Sequence, residues 1–129
     1  MKLRYTLVYV ADVKAALAFY ERAFGFTTRF VSEGAEFGEL ETGSTALGFV
    51  QFDTARASLG AAFRPLDADT QPAGIEIGFT CEDVPAAYAR AVEAGATPLA
   101  PPTTKPWGQV ISYVRAPEGT LVEICSSMD

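Results

Sequence analysis

Apolar and polar positions alternate with a period of two over residues 3–10, in a run rich in β-branched and aromatic side chains, which predicts a strand. Asp12 then stands where a helix N-cap is wanted. Val13, Ala16, Leu17, Tyr20, Ala23 and Phe24 follow at helical spacing until Gly25 supplies a stop. Three short strands are expected near residues 26–32, 36–42 and 45–51, separated by tight turns at Glu33-Gly34 and Thr42-Gly43-Ser44. The pattern then returns. Residues 75–81 read as a strand, Asp83 caps a second helix with Pro85 tolerated in its first turn, and Gly95 ends it. Strands near 97–100, 109–115 and 120–126 complete the second pass, the last two joined by a turn at Pro117-Glu118-Gly119.

A unit that recurs after half a chain is usually one supersecondary element used twice to complete a single core. The expected fold is therefore α+β, one domain over residues 1–129 built from two β-α-β-β-β modules. Module 1 covers 1–52 and module 2 covers 75–129. The intervening 53–74 mixes Ala, Asp, Pro and Gln without a strand period, and reads as a connector holding a helical turn around 54–59.

Side-chain alternation sorts each strand into two faces. Tyr5, Leu7 and Tyr9 share one face of the first strand, against Thr6, Val8 and Val10. Glu76, Gly78 and Thr80 oppose Ile75, Ile77, Phe79 and Cys81, and Leu121, Glu123 and Cys125 oppose Val122 and Ile124. The apolar faces are expected on the helices. The mixed faces, with tyrosines, small residues and carboxylates, are expected to line the cleft that two paired modules enclose.

Composition narrows the chemistry. With 49% apolar and 20% charged residues the chain is globular throughout. No apolar run approaches the ~20 residues that span a bilayer, and residues 1–5 lead into a strand without a secretory h-region, so a soluble cytoplasmic protein is expected. The ten Lys and Arg are scattered and the net charge is −6, which argues against nucleic acid. An acidic surface favours a cationic ligand, although solubility alone explains it. Cys81 and Cys125 form no Cys-x-x-Cys pair, fall on different sheet faces and are expected to be reduced. There is no histidine.

The strand, the Asp-capped helix with Phe19-Tyr20 near its end, and then Gly25-Phe26, resemble the opening of the vicinal oxygen chelate superfamily. That group includes glyoxalase I, extradiol dioxygenases, and fosfomycin- and bleomycin-resistance proteins. The closing segment, Trp107-Gly108-Gln109 through Ala116-Pro117-Glu118-Gly119-Thr120-Leu121-Val122-Glu123, is similar to that family's last hairpin. The resemblance covers almost the whole chain apart from the connector. It implies two modules whose eight strands pair into an open barrel-like cup with the helices outside, within one chain or by exchange across a homodimer. In the family's metal-dependent members four side chains, mostly His, Gln or Glu, point into that cup. The matching positions here are Tyr5, Gly48, Glu76 and Glu123. Tyr5 and Glu76 stand where histidines are usual, Gly48 brings no donor, and Glu123 is the expected acidic position.

Two carboxylates could hold a hard cation only weakly, since such sites usually recruit more protein oxygens. No cofactor is expected, the alternative being a weakly bound divalent metal on Glu76 and Glu123. The leading expectation is a small-molecule-binding protein that sequesters an aromatic or cationic compound without a catalytic metal. Its ligand-binding residues are Tyr5, Tyr9, Gly48, Glu76, Trp107 and Glu123. Trp107, in a Lys-Pro-Trp-Gly loop, serves as a stacking plate at the rim. The alternative is a glyoxalase-like lyase or isomerase, or a dioxygenase, using Glu76 and Glu123 as metal ligands or as acid and base. Each residue also has a plainer account. The glutamates suit half-solvated strand faces, the tyrosines are good strand formers, Trp107 could close over the core, and Phe37, Phe49 and the Tyr20-Phe24 pair read as core. A third reading is a domain whose hollow is filled by its own side chains and whose interaction surface lies elsewhere.

Overall fold

The computed structural model describes residues 1–60 and 63–128. Its element order is β1 (Tyr5–Val10), α1 (Val13–Phe24), β2 (Thr28–Val31), β3 (Phe37–Leu40), β4 (Ala46–Gln51), α2 (Phe52–Leu59), β5 (Glu76–Thr80), α3 (Val84–Glu93), β6 (Thr97–Thr104), β7 (Val110–Arg115) and β8 (Leu121–Cys125). The eight strands form two four-stranded mixed sheets, in the orders β1-β4-β3-β2 and β5-β8-β7-β6. The chain divides into two compact units, one of Met1–Glu21 with Gly25–Leu66 and one of Arg22–Phe24 with Asp67–Asp129. The fold is α+β, with the β-α-β-β-β order repeated as the sequence pattern requires.

In the first unit the Asp12 carboxylate accepts the Ala15 N–H at 3.0 Å, and Gly25 (φ 78) closes α1 by donating its N–H to the Glu21 carbonyl. Val13, Ala16, Leu17 and Tyr20 form the buried stripe of the helix. They pack on one face of the sheet. The Tyr20 and Phe49 rings lie 5.0 Å apart, and Leu17 Cδ1 stands only 2.6 Å from where a β-carbon on Gly38 would be. Gly38 thus lets the helix approach the sheet closely at this point. Parallel pairing of β1 with β4 puts Val8 beside Phe49 on that face, and Leu7 beside Gly48 on the other.

In the second unit Asp83 accepts the Ala86 N–H at 3.1 Å, with Pro85 in the first turn of α3. Val84 and Ala91 of the helix, with Val114, Val122 and Ile124 of the sheet, form the buried layer. The last turn of α1, Arg22–Phe24, belongs to this unit. Arg90 Nε donates to the Arg22 carbonyl at 2.8 Å, and the Phe24 and Phe79 rings meet at 5.0 Å.

Several boundaries depart from the sequence reading, β2 and β3 being shorter than expected. β1 begins at Tyr5, two residues later than the alternation begins. β6 continues through Pro101 and Pro102 to Thr104, where a strand ending near residue 100 was expected. Prolines lack the ladder N–H, but β6 is an edge strand and its pairing with β7 shifts register between Pro98 and Ala100 and again between Ala100 and Thr103, which absorbs them. The connector was expected from residue 53 with one helical turn around 54–59, whereas Phe52–Leu59 form the two-turn helix α2. Its sequence shows no apolar stripe because only Ala55 is buried. The Arg56 guanidinium lies over both the Phe52 ring (5.5 Å) and the Phe63 ring (5.0 Å), a packing that local propensity cannot reveal.

Candidate functional site

The second unit gathers the two predicted carboxylates. β8 lies between β5 and β7, so Gly78, Glu123 and Tyr113 stand in one row across the sheet, with Glu76 two residues from Gly78 on the same face. Gly78 contributes no side chain, and nothing lies within 4 Å of a β-carbon placed there, which leaves space beside Glu123. The Tyr113 hydroxyl donates to Glu123 Oε2 at 3.3 Å. The Glu76 carboxyl is pushed above the ordinary value of 4.5, first by burial and then by the neighbouring Glu123 carboxyl.

The same face continues to Cys125, whose thiol is pushed up to about 11, mainly by burial and then by Glu123. Burial, followed by the Glu123 and Glu76 charges, also raises the Tyr113 phenol. Cys81 and Cys125 are both free thiols. The Thr80–Cys125 pairing sets Cys125 on the face opposite to Cys81.

Trp107 occupies the turn between β6 and β7 and is 61% exposed. Its indole N–H donates to Gln109 Oε1 at 2.9 Å, and Gln109 Nε2 donates to the Ser126 carbonyl at 2.9 Å. The turn itself is closed by the Gly108 N–H to the Lys105 carbonyl, with Gly108 at φ 96. The ring is therefore held by its polar edge while its faces stay open.

The first unit places Tyr5, Tyr9 and Gly48 on the sheet face turned away from α1. Tyr5 is 46% exposed, with the Arg4 guanidinium 5.7 Å from its ring centre. The Tyr9 ring meets Phe63 edge-on at 4.8 Å, so part of its surface is used in packing against the connector. Gly48 is buried under Leu7 and Glu39. Glu39 is a buried carboxylate on this face that the sequence reading passed over, because it sits in a short strand whose alternation marks it as solvated. Tyr113 was also missed. A hairpin centred on Glu118 pairs residue 113 with residue 123, and that arithmetic was available from the turn at Pro117-Glu118-Gly119.

Among the described residues no group of three or more His, Cys, Asp or Glu side chains is gathered in a way that could hold a metal ion. Among the described residues no helix is long and apolar enough to cross a membrane.

The likeness to known structures covers nearly the whole chain. A glyoxalase-related enzyme from Fulvimarina pelagi superposes with a TM-score of 0.85 at 21% identity, over 98% of this chain and 88% of that one. A glyoxalase/bleomycin resistance protein/dioxygenase family enzyme from Burkholderia phytofirmans PsJN gives 0.77 at 21% identity, over 98% of both chains. TioX from Micromonospora sp. ML1 gives 0.70 at 22% identity, again over 98% of both. At these identities the likeness is one of fold. No curated protein sequence matches the chain. The model of the Glyoxalase/Bleomycin resistance protein/Dioxygenase superfamily matches residues 2–124, and the chain belongs to that superfamily.

Proposed function

We propose that this protein binds and sequesters a small aromatic or cationic compound, without a catalytic metal. The observation that carries the reading is the carboxyl pair Glu76–Glu123 with the Tyr113 hydroxyl on one sheet face. A ligand amine or amidine would sit against these carboxyls and gain a charge-assisted hydrogen bond. The open faces of Trp107 supply a stacking surface for a flat ring. Tyr5, Tyr9 and Gly48 are the ligand-binding positions we propose on the first unit, taken by itself.

The donor set supports the metal-free half of the proposal. A calcium site takes about six to eight oxygens, and magnesium demands a near-octahedral set. This chain offers Glu76 and Glu123, has no imidazole, and has glycine at position 48. Those residues do not fit a tightly held ion, and no step of the proposed binding needs one. A basic natural product or drug is the compound class this chemistry favours, with a homodimer as the assembly in which we place it.

Titration calorimetry and intrinsic fluorescence over a panel of aromatic amines, amidines and their neutral analogues would test the reading. Trp107 is the only tryptophan, so quenching reports on one site. Saturable binding of the cations that weakens in Glu123→Gln is expected. No saturable binding by any member of the panel would sink the proposal.

The placement of Glu76 and Glu123 on one sheet face favours a second reading, an enzyme in which the pair serves as metal ligands or as general acid and base. Elemental analysis of protein purified without chelator, repeated on Glu123→Gln, separates the two. Stoichiometric metal that vanishes in the variant would reverse their order.

A further inference from the structure

Glu39 is 3% exposed, and its Oε1 has no hydrogen-bond partner among the described residues. A buried carboxylate is costly unless it is paired and hydrogen-bonded. Among the described residues its compensation is one loose cation. Arg29 Nη1 stands 3.7 Å from that same oxygen, beyond hydrogen-bond distance, on a side chain that is 46% exposed.

The sheet explains how the carboxylate comes to lie there. Strand pairing sets Glu39 between Phe30 on β2 and Gly48 on β4. A β-carbon at position 48 would stand 3.3 Å from Glu39 Cγ and 3.0 Å from Leu7 Cδ2. Glycine at this position is therefore the space that the Glu39 side chain needs. Beside it, the Phe30 and Phe37 rings pair at 5.4 Å, with Phe30 partly open to solvent. The result is an acceptor walled by Leu7 and aromatic rings and covered by an arginine free to swing outward.

A purely structural ion pair is usually closed at hydrogen-bond distance, because leaving an acceptor unmade wastes the desolvation. We propose that Glu39 anchors a cationic, hydrogen-bond-donating group of a small aromatic ligand, with Arg29 as the resident counter-ion that the ligand displaces. The inference rests on the sequestration reading and gives the first unit a cation anchor of its own. Selectivity follows from the exchange. A neutral amide has no charge to offer in place of Arg29, whereas an amidinium brings both charge and a two-pronged donor.

Benzamidine and its neutral analogue benzamide are suitable probes, titrated by calorimetry into the wild-type protein and into Glu39→Gln, Arg29→Met and Glu123→Gln. Benzamidine should bind the wild type, lose about 10- to 100-fold in Glu39→Gln, as expected for a lost charged hydrogen bond, and gain affinity in Arg29→Met, while benzamide responds to none of these. Benzamidine binding that survives Glu39→Gln but is lost in Glu123→Gln overturns this inference and leaves sequestration standing. No binding by wild type or Arg29→Met also overturns it, and a positive result elsewhere in the wider panel would then show that sequestration itself holds. A ligand-free readout guards against a folding artefact. Glu39→Gln should leave the melting temperature unchanged or raise it, and a fall beyond roughly 5 °C would mark Glu39 as a structural counter-ion and defeat the proposal.

Discussion

Gly119 lies directly beneath the backbone of Asp67, so closely that a β-carbon on it would stand 2.5 Å from the Asp67 carbonyl oxygen. The contact fastens the connector onto the β7–β8 turn. Arg115 completes the fastening: its guanidinium donates to the Asp67 and Thr70 carbonyls, and its Nε to the Gly119 carbonyl at 3.2 Å. Asp67 Oδ1 in turn accepts the N–H groups of Asp69 and Thr70, both at 2.8 Å, and its carboxyl is held below the ordinary value mainly by those bonds.

Gly119→Ala should accordingly be costly. The position has φ +109, which alone strains an alanine by about 1 kcal/mol, and the β-carbon meets backbone that cannot swing aside. A total loss of about 2–4 kcal/mol is expected from urea denaturation. Wild-type stability in the variant would show that residues 67–70 move away freely.

Arg115→Met should act on the same fastening by leaving three carbonyls, those of Asp67, Thr70 and Gly119, without this donor. Limited proteolysis should then cut within residues 67–74 faster than in the wild type, with the sheets still protected. Equal cleavage rates would show that the guanidinium does not hold the segment.

The Glu76–Glu123 pair has a signed pH dependence. A carboxyl raised in the folded state binds its proton more tightly there than in the unfolded chain. Stability is therefore lost as pH rises through the window beginning near the ordinary value of 4.5, and the loss is complete above the folded value. Glu76→Gln removes the titration. The variant should melt higher than wild type at neutral pH, with the difference closing as pH falls below the window. A difference that is constant across pH would mean the two carboxyls do not interact in solution.

Cys125 should be inert toward thiol reagents in the native state. It is buried, and a thiol at about 11 leaves about one molecule in a thousand as thiolate at pH 8. Mass spectrometry after brief iodoacetamide treatment should find Cys125 unmodified until denaturant is added. Rapid native alkylation at this residue would contradict the described packing.

Gln109→Ala should free the Trp107 ring, because the indole loses its acceptor. Time-resolved fluorescence anisotropy of this lone tryptophan should show a larger fast component in the variant, with little change in unfolding free energy, as suits an exposed side chain. An unchanged decay would mean that the turn alone orients the ring.

What could be read from the residues was whatever neighbours along the chain decide. Asp12 and Asp83 cap helices through bonds to N–H groups three residues on, and Gly25 stops a helix by its own conformational freedom. Alternation placed Val8, Val10, Val122 and Ile124 on buried faces, and set Glu76 and Glu123 together on the opposite one. Turn chemistry at Pro117-Glu118-Gly119 implied the final hairpin.

Tertiary structure decided the rest. α2 forms because Phe52 and Arg56 meet Phe63, a residue outside the helix. β6 tolerates its prolines because it lies at a sheet edge. Arg115 is buried because carbonyls 45 and 48 residues away face it. Glu39 reads as a solvated strand residue until β4 presents a glycine beside it. Each depends on which distant strand or loop lies alongside, and spacing along a chain carries no record of that.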